Sequence, residues 1–244
     1  MSSKKQVNGT NEYFESDNTV FDWWDPENEN FNDGYSLIDR KFFIDERALV
    51  LEHLNSIKFE GKLLEVGSGR GRFCLDIAKK FPKSKVIGID LSKQMVDYSN
   101  NEAKRQKIVN TTFFVGNANN LQFEDNYFDV VLCLQVLMHI PDKLRVLNEI
   151  KRVTKGDGLI MVNQINSSHS WRTKVRGLKN RLRVPISEFI SIKILRKTRI
   201  MFRSSESEFR ELIQQINPKI IEYLTFGLEN QPPVYFYYIL KKRK

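Results

Sequence analysis

The sequence predicts an α/β fold in which a largely parallel sheet is covered by helices on both faces. Five short apolar runs, from 62–66 to 159–165, alternate with segments of helical spacing, a pattern typical of parallel strands joined by helices. Two further strand-like runs, 219–226 and 234–241, follow without a helix between them. We therefore expect the last two strands to pair antiparallel.

Composition limits the class of protein. The chain has 244 residues, enough for one large α/β domain, and a formal net charge of +9. No apolar run approaches the roughly 20 residues that a membrane-spanning helix needs, and the N-terminal residues lack the apolar core of a secretion signal. Cys74 and Cys133 form no metal or disulfide pattern and are predicted to be small buried residues. These features favour a cytoplasmic protein in a reducing compartment.

The central motif joins the first strand to a helix through a glycine-rich turn. Residues 67–71 (GSGRG) follow the apolar run 62–66, and residues 73–81 then show helical spacing. Glycines let the backbone turn tightly and approach a ligand closely, because no Cβ stands in the way. The spacing is not the G-x-G-x-x-G of dinucleotide folds, and an acid, Glu65, precedes it. An ordinary β-to-α turn is the alternative interpretation.

A carboxylate at the end of the second strand strengthens the ligand-binding interpretation. Asp90 ends the run VIGID, which follows Lys85. A carboxylate there can accept hydrogen bonds from both ribose hydroxyls of a nucleoside. The alternative is that Asp90 caps the next helix, but Ser92 already fits that role.

The chain divides into segments of different character. Residues 1–12 are polar and predicted to be disordered. Residues 13–57 are interpreted as an aromatic and helical cap segment, whose stretch 13–24 either closes a ligand pocket or packs against the sheet edge. Residues 58–244 form the main domain, which carries a basic and partly helical insertion at 167–203.

Helical spacing and capping signals predict the remaining helices. A helix over 36–57 is expected to bury an apolar face that includes Ile44, Ala48 and Leu54. His53 lies on this helix and is interpreted as structural or solvent-facing. A later helix over 142–154 is predicted to end in the glycine turn 155–158. Another helix, over 206–216, begins in a capping box formed by Ser205 and Glu208.

The positive charge is concentrated in one stretch, which suggests an anionic partner. Residues 171–203 carry eleven Lys or Arg residues and one acid, Glu188, with Ile and Leu interleaved. Four interpretations stay open: a cap over an anionic acceptor, a contact with an anionic membrane surface, a site for RNA phosphates, or the solvated face of a simple pocket cover. RNA is the least favoured, because aromatic residues that would stack on bases are almost absent from 172–201.

Four longer motifs carry a resemblance to a known family. They are LLEVGSGRGRF, VIGIDLSKQMVDYS, FFVGNANNLQFEDNYFDVVLCLQVLMHI and LNEIKRVTKGDGLIMV, which together extend over about residues 60–165. In order and spacing the chain resembles the class I S-adenosylmethionine-dependent methyltransferases that act largely on small molecules, with an NAD-type dinucleotide fold as the alternative. Residues 23–26 (WWDP) add a shorter likeness to the quinone-biosynthetic O-methyltransferases.

The resemblance implies a Rossmann-like, doubly wound sheet of seven strands in the order 3-2-1-4-5-7-6, with the last strand antiparallel. It also implies the cofactor S-adenosyl-L-methionine, converted to S-adenosyl-L-homocysteine, across the carboxyl ends of strands 1 to 4. Asn117 stands where the family commonly has Asp, and its amide oxygen can still accept a hydrogen bond from the adenine amino group. By position, the implied cofactor-binding residues are Glu65, Gly67 and Gly69 at the methionine moiety with Ser68 between them, Asp90 at the ribose, Leu91, Met95, Asn117 and Ala118 at the adenine, and Leu134 and Gln135 on the sulfonium side.

The expected activity is in-line transfer of a methyl group to an oxygen or nitrogen atom, less readily a carbon, of a small molecule or lipid-like metabolite. His139 and His169 lie near the implied methyl position and are the candidate catalytic bases; a structural role is the alternative for His139. No metal is expected. The alternative functions are RNA methylation and a catalytically silent cofactor-binding scaffold. The expected partner is a small acceptor, anionic or lipid-like, with peripheral contact at the cytosolic membrane face through 171–203; the oligomeric state stays open.

Overall fold

The computed structural model describes residues 37–167, 202–226 and 233–243. The predicted tail 1–12, the aromatic stretch 13–24 and nearly all of the insertion lie outside the described residues. Among the residues described, no helix has the length and apolar character needed to cross a membrane. The elements are α1 (Leu37–Ser56), β1 (Lys62–Val66), α2 (Arg72–Lys80), β2 (Lys85–Asp90), α3 (Lys93–Arg105), β3 (Thr111–Val115), β4 (Phe128–Cys133), a 3-10 turn (Leu137–His139), α4 (Lys143–Val153), β5 (Thr154–Ile165), α5 (Glu206–Gln215), β6 (Lys219–Phe226) and β7 (Tyr235–Lys241).

The seven strands form one sheet of order β3-β2-β1-β4-β5-β7-β6, which confirms the predicted order. The strands β1 to β5 pair in parallel. The strand β7 lies antiparallel between β5 and β6, as predicted. The carboxyl ends of β1, β2, β4 and β5 therefore meet at one edge of the sheet, where ligands bind in open α/β folds.

Two apolar clusters, one on each face of the sheet, form the core. Alternate residues of the central strands point to opposite faces: Leu64 belongs to one cluster and Leu63 to the other. Helices α4 and α5 pack on the face of Leu64, while α1, α2 and α3 pack on the face of Leu63. The predicted coverage of both faces is confirmed.

The buried face of α1 differs from the predicted one. Ile44 is 57% exposed and Ala48 is also exposed, whereas Phe43 and Glu46 are buried. The prediction for Ile44 and Ala48 was wrong because the buried stripe contains a charged residue, Glu46, which a stripe drawn through apolar residues alone passes over. Leu54 is buried as predicted.

Polar contacts connect α1 to a neighbouring helix and to the sheet. Arg47 Nη2 lies 2.5 Å from Asp76 Oδ2 of α2. His53 Nε2 lies 3.0 Å from Glu222 Oε2 of β6, and its Nδ1 lies 3.1 Å from the Leu49 carbonyl oxygen. His53 is therefore structural, one of the two roles predicted for it.

The junction between α4 and β5 also corrects the sequence prediction. The helix ends at Val153 and the strand begins at Thr154, so no glycine turn separates them. The pairing of β4 with β5 shifts register between Phe128 and Val130, and residues 155–158 form a bulge within β5. The backbone at Lys242, just beyond β7, holds this bulge: Asp157 N donates to the Lys242 carbonyl at 3.1 Å, and Lys242 N donates to Gly158 O at 2.9 Å.

Candidate functional site

The glycine turn leaves β1 at the carboxyl edge of the sheet and is fastened to β2. The backbone N–H groups of Gly67 and Ser68 both donate to the Ile89 carbonyl at 2.8 Å. Gly67 has a φ of +72°, and a Cβ at that position would lie 2.3 Å from Val136 Cγ2. Only glycine fits there, because it alone adopts this backbone freely and leaves room for Val136. The turn after β1 and the segment after β4 are thus packed together.

Gly69 presents bare backbone to open space. Its φ is +50°, and a Cβ built on it meets no atom within 4 Å. The neighbouring Ser68 is turned inward: its hydroxyl is buried, and a Cβ on Gly88 would lie 2.8 Å from Ser68 Oγ. A ligand at this turn therefore meets the backbone of 67–69, which suits the close approach of a cofactor and fits the implied methionine site.

Asp90 connects the glycine turn to the start of α3. Its Oδ2 accepts the Gly69 N–H at 2.8 Å and its Oδ1 accepts the Ser92 N–H at 2.9 Å. Burial raises the pKa of Asp90, against these backbone hydrogen bonds, which lower it. Ser92, not Asp90, caps α3, with its side chain accepting from Met95 N. Each carboxylate oxygen has a further lone pair, so the geometry is compatible with the implied ribose contact.

Glu65 lies beneath the turn at the end of β1. It is 4% exposed, and its Oε2 accepts the Cys74 backbone N–H at 3.2 Å and the Cys74 thiol at 3.0 Å. Burial raises the pKa of Glu65 to about 8, against the hydrogen bonds of Cys74. The predicted burial of Cys74 and Cys133 is confirmed, and both are free thiols. The hydrogen bond from Cys74 to Glu65 was not foreseen.

On the implied adenine side, the side-chain oxygen of Asn117 already accepts hydrogen bonds within the protein. Asn117 Oδ1 accepts from Asn119 N at 2.9 Å and from Asn119 Nδ2 at 3.1 Å. An adenine amino group would compete with Asn119 for this oxygen, because an amide oxygen has two lone pairs. Leu91 is half-buried and Met95 buried, and Ala118 packs against the core.

The segment after β4 is held in an unusual conformation. Leu134 is buried, and Gln135, which follows it, has a φ of +61° although it is not glycine. The Gln135 N–H donates to Asn163 Oδ1 at 2.7 Å, so β5 supplies the partner that this backbone needs. Such a conformation is costly unless surrounding contacts impose it, and it often marks a functional site.

Glu46, Gln135 and Asn163 form a set that we call the Glu46 cluster. Glu46 Oε1 accepts hydrogen bonds from Asn163 Nδ2 and from Gln135 Nε2, the latter at 3.4 Å. Because Asn163 Oδ1 is occupied by Gln135 N, the Nδ2 group of Asn163 must face the carboxyl group. Glu46 is 0% exposed, and its Oε2 has no hydrogen-bond partner in the described part of the chain.

The environment of Glu46 favours its neutral form. Burial raises the pKa of Glu46 to about 8, against the hydrogen bonds from Gln135 and Asn163 and the positive charge of Arg72, which lower it. The charge of Glu65 raises it further. The edge of the sheet thus holds two buried carboxyl groups, Glu46 and Glu65, whose ionisation is suppressed mainly by burial.

The sequence prediction included Gln135 but missed Glu46 and Asn163. Two signals were available. Glu46 lies three residues after Phe43 and four before Val50, at the spacing of a buried stripe, and Asn163 interrupts the apolar run LIMV of β5. A buried polar residue requires a partner, but the sequence does not show that these two residues are partners of each other.

Of the two candidate bases, the structure describes His139 only. His139 is buried in the 3-10 turn, and its backbone N–H donates to the Val136 carbonyl at 2.8 Å. His169 lies outside the described residues. The described flanks of the insertion are tied to this region: Phe202 N donates to Met138 O at 2.6 Å, and Ser167 N donates to Ser204 O at 2.9 Å. The chain therefore leaves and re-enters the fold next to the 3-10 turn.

The chain is similar in sequence to known proteins. A family model described as a methyltransferase domain matches residues 57–215. An uncharacterized protein of Methanocaldococcus jannaschii is 30% identical over 213 residues, covering 83% of this chain and 85% of that protein. A demethylmenaquinone methyltransferase of Lactococcus lactis is 37% identical over 108 residues, covering 44% of this chain. The chain spans only 42% of that enzyme and 41% of an uncharacterized methyltransferase of Schizosaccharomyces pombe.

A solved structure shows the same fold. The crystal structure of magnesium protoporphyrin IX methyltransferase from Synechocystis with bound S-adenosylhomocysteine has a TM-score of 0.70 at 17% identity, covering 98% of this chain and 100% of that one. The implied cofactor, S-adenosyl-L-methionine, agrees with the open backbone at Gly69 and the carboxylate of Asp90. The motifs, the strand order and the family match together show that the chain belongs to the methyltransferase-domain family of class I S-adenosylmethionine-dependent methyltransferases.

Proposed function

We propose that the protein transfers the methyl group of S-adenosyl-L-methionine to an oxygen or nitrogen atom of a small or lipid-like acceptor. The observation that carries the proposal is the buried, polar carboxyl edge of the sheet, where the Glu46 cluster and the 3-10 turn adjoin the glycine turn. Relatives named for demethylmenaquinone and magnesium protoporphyrin IX support a small acceptor.

The chemistry asks little of the protein beyond alignment. When bound, the cofactor supplies a methyl group that is already activated, and its leaving group is neutral. The chain must therefore hold the two reactants in line, exclude water and remove a proton where the acceptor carries one. Asp90 and the backbone of 67–69 fix the cofactor, and Gln135, held by Asn163, borders the reacting end. His139 and His169 are the candidate bases for the acceptor proton.

The proposal is tested by measuring S-adenosylhomocysteine formation with three acceptor sets: reduced naphthoquinones and other phenols, polyphenols, and tRNA. We expect product with a phenolic acceptor and none with tRNA. Product with tRNA alone would replace the proposal by RNA methylation. Tight binding of S-adenosylmethionine with no product from any acceptor would identify a silent cofactor-binding protein.

We further propose that the basic segment contacts an anionic membrane surface at the cytosolic face, which would bring a lipid-like acceptor to the site. The sequence supports this, because its Lys and Arg residues are interleaved with Ile and Leu. Reversing the charges of Arg196, Lys197 and Arg199 to Glu should abolish flotation with vesicles containing anionic lipid, and leave binding of S-adenosylmethionine intact. Unchanged flotation would contradict the membrane contact.

A further inference from the structure

The Glu46 cluster is a buried acidic site beside the glycine turn, and Oε2 of its carboxyl group has no hydrogen-bond partner among the residues that the structure describes. The cluster holds Glu46 from two directions, because Gln135 lies in the segment after β4 and Asn163 lies in β5. Oε1 takes both amide donors, which leaves Oε2 as the atom that gains or loses a proton. Burying a carboxyl group in this way is costly.

Within the described ranges, the charged neighbours of Glu46 can be named for each element packed against it. Glu65 at the end of β1 repels negative charge on Glu46, and Arg72 at the start of α2 attracts it. Tyr237 of β7, whose hydroxyl donates to Met161 Sδ at 3.6 Å, also interacts electrostatically with the carboxyl group: its pKa is raised mainly by burial, with a smaller contribution from Glu46. The segment after β4 contributes the neutral amide of Gln135, and β5 contributes that of Asn163. A single added positive charge near this group would therefore change its ionisation strongly.

Such a charge arrives with the methyl donor and is absent from the product. S-adenosylmethionine carries a sulfonium cation, and S-adenosylhomocysteine carries a neutral thioether in its place; the rest of the two molecules is the same. We propose that Glu46 is a charge-sensing residue that favours binding of the cationic methyl donor over its neutral product. The inference rests on the proposed function for the presence of this cofactor at the glycine turn.

The coupling needs no direct contact. Glu46 is 0% exposed, and electrostatic interactions at a given distance are stronger inside a protein than in water, because the effective dielectric constant is lower. Binding of the cation stabilises the ionised carboxylate, so Glu46 releases a proton to solvent. Methyl transfer removes the positive charge from the sulfur atom, and Glu46 then takes up a proton again. The product loses the attraction that held the donor, which promotes exchange of product for donor.

The sign of the pH effect follows from proton linkage. A ligand that prefers the ionised form of a group binds more tightly as the pH rises towards the pKa of that group in the free protein, here about 8. The ratio of the two dissociation constants, product over donor, should therefore rise between pH 6 and pH 8 and level off above it. Both ligands carry the same amino acid and nucleoside groups. The titration of those groups therefore affects both dissociation constants equally and drops out of their ratio.

The test measures both dissociation constants by calorimetry between pH 6 and pH 9, in pairs of buffers that differ in ionisation enthalpy. We expect the wild type to release more protons with S-adenosylmethionine than with S-adenosylhomocysteine at pH 7. In Glu46→Gln, the difference in proton release between the two ligands should shrink. The ratio of the dissociation constants, product over donor, should fall at least fivefold at pH 8.5 and no longer depend on pH. Glu52→Gln, an exposed carboxyl group on the same helix, is the matched control and should behave as wild type.

Two results would overturn the inference. Equal proton release with the two ligands in the wild type rules out a charge-sensing group, whatever the fate of the variants. A Glu46→Gln protein that keeps the wild-type ratio and its pH dependence assigns Glu46 a purely structural role. Neither measurement uses a methyl acceptor, so these outcomes leave the proposed function standing, and failure to find an acceptor leaves the inference standing.

Discussion

The glycine turn and the Glu46 cluster border the same edge of the sheet, yet they satisfy their polar groups in different ways. In the turn, Asp90 accepts two backbone N–H groups, from Ser92 two residues away and from Gly69 21 residues away. In the cluster, Glu46 depends on side chains 89 and 117 residues away and keeps one oxygen without a partner among the described residues. The first arrangement is a local, stable binding surface, and the second remains responsive to a nearby charge.

The largest effect should come from Asp90, the residue on which the turn depends. Asp90→Ala removes the acceptor for Gly69 N–H and the implied acceptor for the ribose hydroxyls. Hydrogen bonds to charged groups contribute about 1.5–3 kcal/mol each, so the dissociation constant for S-adenosylmethionine should rise about a hundredfold or more in calorimetry. Asp97→Ala, on the exposed side of α3, should bind normally. An affinity within threefold of wild type would show that the turn does not need this carboxylate.

Two alanine substitutions separate stability from binding within the turn. Gly67→Ala would strain the backbone and collide with Val136, so we expect a loss of about 3 kcal/mol or more. Gly69→Ala has the backbone strain but no collision, and should cost about 1–2 kcal/mol. Its Cβ would instead occupy the open side of the turn and weaken cofactor binding. Denaturant unfolding and calorimetry measure the two effects, and equal stability losses would contradict the packing of Gly67 against Val136.

Glu46→Gln should change how stability depends on pH. The pKa of Glu46 is raised from 4.5 to about 8 in the folded protein, so the folded state holds a proton that the unfolded state has lost. The contribution of Glu46 to the free energy of unfolding is therefore greatest below about pH 4.5 and falls as the pH rises to about 8. In thermal unfolding, we expect the Tm of Glu46→Gln minus that of the wild type to increase by a few degrees between pH 5.5 and pH 8.5. Parallel curves would show that Glu46 is ionised in the fold.

The smallest effect is expected at Asn117. Asn117→Asp keeps the oxygen that accepts from Asn119 and adds a second acceptor oxygen for the adenine amino group. We expect the dissociation constant for S-adenosylmethionine to fall by about threefold, since a single exposed hydrogen bond contributes roughly 0.5–1.5 kcal/mol. A weaker affinity would place the adenine elsewhere.

The contrast between local and long-range contacts also explains which features the sequence predicted. The strand β3, the Ser92 cap, the capping box at Ser205 and the position of Asp90 were all predictable, because each depends on residues close in sequence. Glu46 was not, because the carboxyl group lies in an apolar stripe and meets Asn163 only through tertiary packing. The bulge at 155–158 was missed for a similar reason: the partner that keeps those residues in the sheet is Lys242, far along the chain.

The flanks of the insertion have a consequence for how this protein can diverge. Ser167 and Ser204 are hydrogen-bonded to each other, and Phe202 to Met138, so the sheet fixes both ends of the segment independently of what lies between them. Lengthening a loop whose ends are already held costs little free energy, about 0.6 kcal/mol for each doubling. The segment between can therefore be replaced wholesale, as an interchangeable module, while the donor-binding edge stays as it is. If this segment selects the acceptor, as we propose, acceptor choice could change without a loss of fold stability.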